Sequence, residues 1–258
     1  MMNQTPILIV GGFASEPKLY RPLRAYLAEV SGRQVFIAPI TLVDWAWVTI
    51  TDSYAGLLRK LDRTVNELLA QTGSSRLTLV AHSAGGVLAR IFLGDQPYNG
   101  QAYYGYQRID MLVMLGTPQR AEREGRIGGL NQIRWADQRY PGAYWSEVSY
   151  VSVIGRSIFG DPDGPPPERG AHQSYRLISG EGAQWGDGVV PLDYGLLPGS
   201  LQIVIPGLRH DPRPDRLWYG SSPATVAVWW HAAAAYAATK ADVISYNQTE
   251  KKMTLAIR

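Results

Sequence analysis

The sequence predicts an α/β fold in which a mostly parallel sheet is covered by helices on both faces. Short β-branched runs alternate along the chain with segments of helical periodicity, and this order predicts parallel strands joined by crossover helices. The runs lack the strict polar–apolar alternation of a half-exposed strand, as expected for strands that are buried on both faces. With 258 residues, 45% hydrophobic and 18% charged, the chain has the composition of one globular domain with a buried core.

The individual elements follow in chain order. The predicted strands, each a short apolar run, cover residues 7–10, 35–38, 77–81, 111–115, 151–154 and 201–205. The predicted helices, each with one apolar face, cover residues 19–30, 57–69, 84–93 and 224–238. Gly32 and Gly73 act as stop signals for the first two helices. Ser222 is placed to cap the last helix, with Pro223 at its first position.

Two long segments interrupt the alternation. Residues 119–148 are rich in Arg, Gly, Trp and Tyr, and residues 157–186 contain a Pro-rich stretch. We expect both to be cap- or lid-like excursions above the carboxyl ends of the strands, where open α/β sheets bind ligands. The domain is assigned to residues 1–240. The tail, 241–258, has two β-like runs and is left open between a hairpin and a loose segment.

The strongest chemical signal is the stretch Ala81-His-Ser-Ala-Gly-Gly86, which lies between a predicted strand and a predicted helix. A turn tight enough to expose a nucleophilic Ser needs small residues two before and two after it, and Ala81 and Gly85 satisfy this. The Ser would then lie at a helix N-terminus, where free N–H groups favour negative charge. We therefore predict Ser83 as a nucleophile; the alternative is a Ser that caps an ordinary strand-to-helix turn.

Several separated motifs, together with this turn, resemble the lipase-like α/β-hydrolases over about residues 6–238. Ile7-Leu-Ile-Val-Gly-Gly-Phe13 resembles the first strand and oxyanion loop of that superfamily, although Gly11 stands where a His is usual. Leu115-Gly-Thr-Pro118 resembles the Gly-Thr-Pro that follows the strand after the nucleophile helix. Gly186-Asp-Gly-Val-Val-Pro191 resembles the segment that carries the acid. The resemblance implies an α/β-hydrolase fold and serine esterase or lipase chemistry.

The base must be one of four His residues. His210 follows the last predicted strand, where the superfamily places its base, and His172 is the rival by position. His82 adjoins the predicted nucleophile, so we expect its side chain to point away from the active face as a structural residue. His231 lies in the Ala-rich last helix and is interpreted as a filler.

The acid is assigned to Asp187, which gives the order Ser83, Asp187, His210 that this fold uses. Its rivals are Asp193, Asp161 and Asp163, and a turn Asp beside Gly is a common alternative for Asp187. The geometry of the superfamily also implies an oxyanion hole formed by the backbone N–H groups of Phe13 and Ala84.

Composition restricts the partners. Cys is absent, no metal motif is visible, and no cofactor is needed for the implied reaction. The net charge of +3 and the lack of a Lys/Arg block argue against nucleic acid. The expected partner is therefore a small acyl ester or a lipid.

Peripheral membrane contact is a second possibility. Trp45 and Trp47, expected in a loop, would line an acyl pocket, enter a lipid interface or cover the sheet. A basic rim, which is either a lipid-attracting or a solvated surface, comprises Arg120, Arg123, Arg126, Arg134, Arg139, Arg209, Arg213 and Arg216.

The expected location is cytoplasmic, since neither a signal peptide nor a membrane-spanning run is evident. The function favoured by the sequence is hydrolysis of acyl esters by a serine hydrolase. A thioesterase or amidase with the same three residues, or a non-catalytic binding protein on this fold, are the alternatives. Acyl length, head group and oligomeric state are left open.

Overall fold

The computed structural model describes residues 5–125, 129–213 and 215–256, with side chains described as far as residue 241. Six parallel strands form the main sheet, in the order β2-β1-β3-β4-β5-β8, and β6 pairs with β7 in a small antiparallel ladder. The strands are β1 (Ile7–Val10), β2 (Val35–Ile37), β3 (Leu77–His82), β4 (Ile109–Leu115), β5 (Ser149–Arg156), β6 (Ile158–Phe159), β7 (Trp185–Gly186) and β8 (Leu201–Pro206). All six predicted strands are confirmed.

Helices cover both faces of this sheet. They are α1 (Arg21–Ser31), α2 (Leu42–Thr51), α3 (Ala55–Thr72), α4 (Ala84–Leu93), α5 (Leu130–Arg139), α6 (Pro166–Ser179) and α7 (Pro223–Ala256), with short 3-10 turns at Pro17–Tyr20, Gly105–Gln107 and Leu192–Tyr194. Since successive residues of a strand face opposite sides, Ile7 and Ile9 pack under α1 and α7 while Leu8 and Val10 pack under α3 and α4. The two resulting cores explain why the strands read as continuous apolar runs.

Residues 42–51 form a helix, so the expected loop around Trp45 and Trp47 is wrong. Thr41 caps this helix, and the Asp44 carboxylate accepts hydrogen bonds from the Thr41 N–H and hydroxyl, which closes a capping box. On the helix Trp45 is buried against Phe13 and Tyr54, whereas Trp47 is 63% exposed. The Thr41-Leu-Val-Asp44 spacing is the sequence signal for this helix start.

The first excursion is attached to the sheet by a buried cation. The guanidinium of Arg90, on α4, donates to the carbonyl oxygens of Gln119 (2.6 Å) and Tyr140 (2.8 Å) and lies 3.8 Å from the Asp137 carboxylate. Because an unpaired buried charge is costly, these contacts fix the start of the excursion and the C-terminal end of α5 relative to α4.

The last helix is longer than predicted. It begins at Pro223, after Ser222, whose hydroxyl accepts from the Thr225 N–H at 3.1 Å, and it continues through Ala256 in place of the possible hairpin. No helix in the described ranges of the chain has the combination of length and apolar character that a membrane span requires.

We expect the glycines at the second position of α3 and α4 to respond oppositely to Ala. A Cβ on Gly85 would lie 2.6 Å from the carbonyl oxygens of both Val10 and Gly11, whereas a Cβ on Gly56 meets nothing within 4 Å. Gly85→Ala should therefore destabilise the fold by about 1–3 kcal/mol, and Gly56→Ala should be neutral or stabilising by up to about 1 kcal/mol. Urea denaturation measures both; equal effects would contradict the packing of α4 against β1.

Candidate active site

Ser83 occupies the sharp turn between β3 and α4. Its backbone has φ 52° and ψ −129°, a conformation that a side-chain-bearing residue rarely adopts. The Ser83 N–H donates to the Leu115 carbonyl at 2.9 Å, and the Thr117 hydroxyl donates to the Ser83 carbonyl at 3.0 Å. The neighbouring strand and loop thus hold the strained turn and leave the hydroxyl group at the carboxyl edge of the sheet.

Three side chains that are distant in sequence meet at this edge. The Ser83 hydroxyl lies 2.9 Å from Nε2 of His210, and Nδ1 of the same ring lies 2.7 Å from Oδ2 of Asp187. Asp187 directly follows β7, and His210 follows β8. Because the carboxylate can only accept, Nδ1 carries the proton and Nε2 is left free to accept the hydroxyl proton of Ser83.

Asp187 is fully buried but well supplied with donors. Its Oδ1 accepts from the N–H groups of Val189 (3.0 Å) and Val190 (2.8 Å), and its Oδ2 also accepts from the Tyr219 hydroxyl (2.8 Å). Burial alone would raise the pKa of Asp187, but the His210 ring and the two backbone N–H groups outweigh burial and hold that pKa below its usual value. The carboxylate is therefore ionised at neutral pH.

The pKa of His210 shifts in the opposite direction to that of Asp187. Burial disfavours its charged form, yet the charge and hydrogen bond of Asp187 outweigh burial and raise the pKa of His210 above its ordinary value of 6.5. The Tyr219 hydroxyl accepts from the Gly155 N–H at 3.0 Å and donates to Oδ2 of Asp187, which holds the Asp187 carboxylate in place. The site thus stabilises the imidazolium form that a general base passes through.

Glycine at position 116 leaves room for the side chains of Asp187 and His210. A Cβ on Gly116, which has φ +57°, would lie 2.7 Å from Oδ2 of Asp187 and 3.1 Å from Nδ1 of His210. The Leu115–Pro118 motif therefore has a physical role in this chain: Gly116 leaves space for the hydrogen bond between Asp187 and His210, Thr117 bonds the turn, and Pro118 lines the cavity beside Ser83.

His82 packs against His210, a contact that its predicted structural role did not include. The two rings are 4.9 Å apart, and Nε2 of His82 is 3.0 Å from the His210 carbonyl oxygen, which can only accept. Nδ1 therefore accepts from the Tyr20 hydroxyl at 2.9 Å, and that hydroxyl accepts from the Gly12 N–H at 2.8 Å. Burial, assisted by the nearby His210, lowers the pKa of His82 to about 3, so the ring is neutral.

The result is one buried chain of hydrogen bonds from the loop after β1 to the backbone of His210. Neither Tyr20 nor Tyr219 was singled out from the sequence. Tyr20 lies in a helical segment and Tyr219 in an irregular one, and no spacing rule connects either to the motifs. The adjacency of His82 to Ser83 is the sequence signal that points to this hydrogen-bonded chain.

The loop after β1 closes the other side of Ser83. A Cβ on Gly12 would lie 2.8 Å from the Ser83 Cβ, so the backbone that leads to Phe13 runs against Ser83. Phe13 and Ala84 line the same cavity as Ser83, with a volume of about 140 Å³. Its other walls come from both excursions and the core and are mostly apolar: Tyr54, Val87, Pro118, Leu130, Ile133, Ser174, Leu177, Ile178, Val189 and Val190. Trp45 and Trp47 are not among them.

The rival residues lie elsewhere. His172 is on α6 and packs against Gly160 and Gly182, and His231 is on the exposed side of α7. Asp161 accepts from the backbone N–H of Asp163 at 2.9 Å, within an exposed turn. Asp193 is exposed in a 3-10 turn.

The arginines of the first excursion are mostly engaged within the protein. Arg134 pairs with Glu124 at 3.0 Å, Arg120 stacks over Tyr194, and Arg139 stacks over Trp135. Arg126 lies outside the described residues. These three arginines are thus engaged in local contacts rather than forming a free cationic surface.

We expect the two neighbouring imidazoles to titrate far apart. In NMR titrations the pKa of His210 should exceed 6.5, and His82 should stay neutral down to about pH 4. Asp187→Asn should lower the pKa of His210, because burial then acts without the compensating carboxylate. A His82 ring that titrates near 6.5, or a His210 pKa unchanged in Asp187→Asn, would contradict the arrangement.

Solved structures resemble this architecture at low sequence identity. The mature lipase BlEst2 of Bacillus licheniformis matches with a TM-score of 0.58 and 15% identity over 88% of this chain and 89% of that chain. Phospholipase PlaB of Legionella pneumophila, solved with thio-NAD, matches with a TM-score of 0.62 and 14% identity; the match covers 96% of this chain but only 64% of PlaB. One of the metagenome-derived lipolytic enzymes LipS and LipT matches with a TM-score of 0.51 and 12% identity, over 81% of this chain and 86% of that chain.

No protein-family model and no curated protein sequence matches the chain. The structural likeness nevertheless extends over 81–96% of this chain. The protein has the α/β-hydrolase fold, as its sequence motifs implied.

Proposed function

We propose that this protein hydrolyses carboxylic esters through an acyl-enzyme formed on Ser83. The observation that carries the proposal is the continuous hydrogen-bonded chain from Ser83 through His210 to Asp187, with distances of 2.9 and 2.7 Å, at the carboxyl edge of the sheet. A Ser hydroxyl becomes an effective nucleophile only when a base accepts its proton, and this chain provides that base in the required tautomer.

The reaction follows from these positions. Ser83 Oγ attacks the ester carbonyl while its proton passes to Nε2 of His210, and Asp187 stabilises the imidazolium that results. The tetrahedral intermediate collapses when the bond to the alcohol oxygen breaks and His210 returns the proton to that oxygen. Water then attacks the acyl-Ser83 ester by the same route, with His210 again as base, and releases the acid.

The negative oxygen of the intermediate needs two donors. The backbone N–H groups of Phe13 and Ala84 are the proposed pair, since both residues line the cavity that contains Ser83. Ala84 is the first residue of α4, so its N–H belongs to the free helix end. Such donors contribute about 10²–10³ in turnover each.

The apolar cavity supports an apolar acyl group as the substrate class. Its walls are aliphatic and aromatic side chains, with Ser174 the one polar side chain among the described residues besides Ser83 and Tyr54. The lipase and phospholipase names of the compared structures are consistent with an ester or lipid. Contact with a lipid surface stays a prediction; the exposed Val43, Trp47 and Ile50 of α2 are its candidate face.

Ser83→Ala should lower kcat/KM for 4-nitrophenyl butyrate about 10⁴-fold or more, because the acyl-enzyme cannot form. The melting curve should be unchanged or slightly raised, since the hydroxyl group contributes little packing. A fluorophosphonate probe should label the wild-type protein and the exposed-serine control Ser146→Ala, but not Ser83→Ala. Hydrolysis retained in Ser83→Ala would refute the nucleophile, and a wild-type protein that neither labels nor hydrolyses would support a non-catalytic binding protein.

Tyr20→Phe and Tyr26→Phe each remove one phenolic hydroxyl group, but we expect them to have different effects on stability and on kcat. Tyr20→Phe leaves the buried Gly12 N–H without its acceptor, which should cost about 1–3 kcal/mol of folding free energy. It should also lower kcat about tenfold with little change in KM, because Gly12 adjoins the proposed Phe13 donor. Tyr26→Phe should leave both constants within about twofold. Equal kcat values for the two variants, measured well below their melting temperatures, would exclude a positioning role for Tyr20.

A further inference from the structure

A second cavity lies on the His210 side of the site and is separate from the apolar cavity beside Ser83. It has a volume of about 310 Å³ and shares only Val189 with the apolar cavity. The first turns of α6, with Pro166 and Ala171, form one wall, and the segment after β8, with Arg209 and Arg216, forms the other. The proposed function leaves this cavity without a role.

Among the described residues, one of the arginines beside this cavity lacks a direct partner. Asp211 lies 3.3 Å from the Arg216 guanidinium and 3.9 Å from that of Arg213, and Asp215 lies 3.8 Å from Arg216. Arg209 is half-buried in the cavity wall, and within the described ranges its guanidinium has neither an ion pair nor a side-chain hydrogen bond. The two described carboxylates of this segment are thus occupied by Arg213 and Arg216, which leaves Arg209 as the uncompensated cation.

A half-buried guanidinium without an ion-pair partner is suited to binding an anion. Partial removal from water weakens the hydration of the guanidinium and strengthens its attraction to an anion. The planar guanidinium also matches carboxylate and phosphate oxygens in a two-bond geometry. The other carboxylate in this cavity wall, Asp187, is fully buried and engaged with His210.

The proposed chemistry determines which half of the substrate reaches this cavity. His210 returns its proton to the alcohol oxygen as the carbon–oxygen bond breaks, so the alcohol half must lie on the His210 side while the acyl half lies beside Ser83. We propose that Arg209 binds an anionic group, a carboxylate or a phosphate, on the alcohol half of the substrate. This inference rests on the proposed ester hydrolysis and names its preferred substrate class: acyl esters of anionic alcohols or phenols.

The test compares two esters that share an acetyl group, 4-acetoxybenzoate with its anionic leaving group and 4-acetoxybenzamide with a neutral one. Each kcat/KM is divided by the rate of hydroxide-catalysed hydrolysis of the same ester, which removes the difference in intrinsic reactivity. The wild-type protein should prefer the benzoate ester about tenfold, and 0.5 M NaCl should reduce that preference because salt screens a partly exposed pair.

Arg209→Gln should abolish the preference by lowering kcat/KM for the benzoate ester about tenfold, with the benzamide ester within twofold of wild type. Arg213→Gln is the matched control, because it removes the same charge from a 60% exposed side chain outside the cavity wall, and it should retain the preference. Equal normalised rates in the wild-type protein, or equal losses in both variants, would overturn the role of Arg209. If neither ester is hydrolysed above the Ser83→Ala background, the proposed function itself fails.

Discussion

The turn between β3 and α4 is the constraint on which the rest of the site depends. Ser83 adopts a backbone conformation that costs about 1–3 kcal/mol, and such strain persists only where the surroundings hold it. Here a central strand precedes the turn, Leu115 and Thr117 bond its backbone, and Gly85 lets the following helix touch the carbonyl oxygens at the end of β1. The core of the sheet thus stabilises a local geometry that would be unfavourable on its own.

Two groups of side chains, one charged and one neutral, determine the electrostatic environment of His210. Above, the ionised Asp187 and the hydroxyl of Tyr219 form a charged layer in which every carboxylate oxygen has donors. Below, His82 is kept neutral by burial and contributes only a hydrogen bond to a backbone carbonyl. A positive charge on His82 would repel the imidazolium of His210, so the neutrality of His82 favours that charged form.

Local rules predicted the strands, the crossover helices and the tight turn, because short β-branched runs and small residues around Ser83 depend on near neighbours alone. The same rules missed α2, where a capping box formed by Thr41 and Asp44 was hidden by aromatic residues, and they missed the length of α7. The contact between His82 and His210 spans 128 positions in the chain and depends on how two strand ends are brought together. Only the folded sheet supplies that information, so a sequence argument could name His82 but not its neighbour.

Helix α6 spans the site. Its early residues, including Gly170 and Ala171, line one cavity, and later residues on the same stripe, including Leu177 and Ile178, line the other. Each residue of an α-helix advances the side-chain direction by about 100°. One residue inserted near position 172 would therefore swing the later stripe away from its cavity while the earlier stripe stayed in place. A point substitution in α6 can therefore change one cavity alone, whereas a change in the length of this helix would alter the relation between the two.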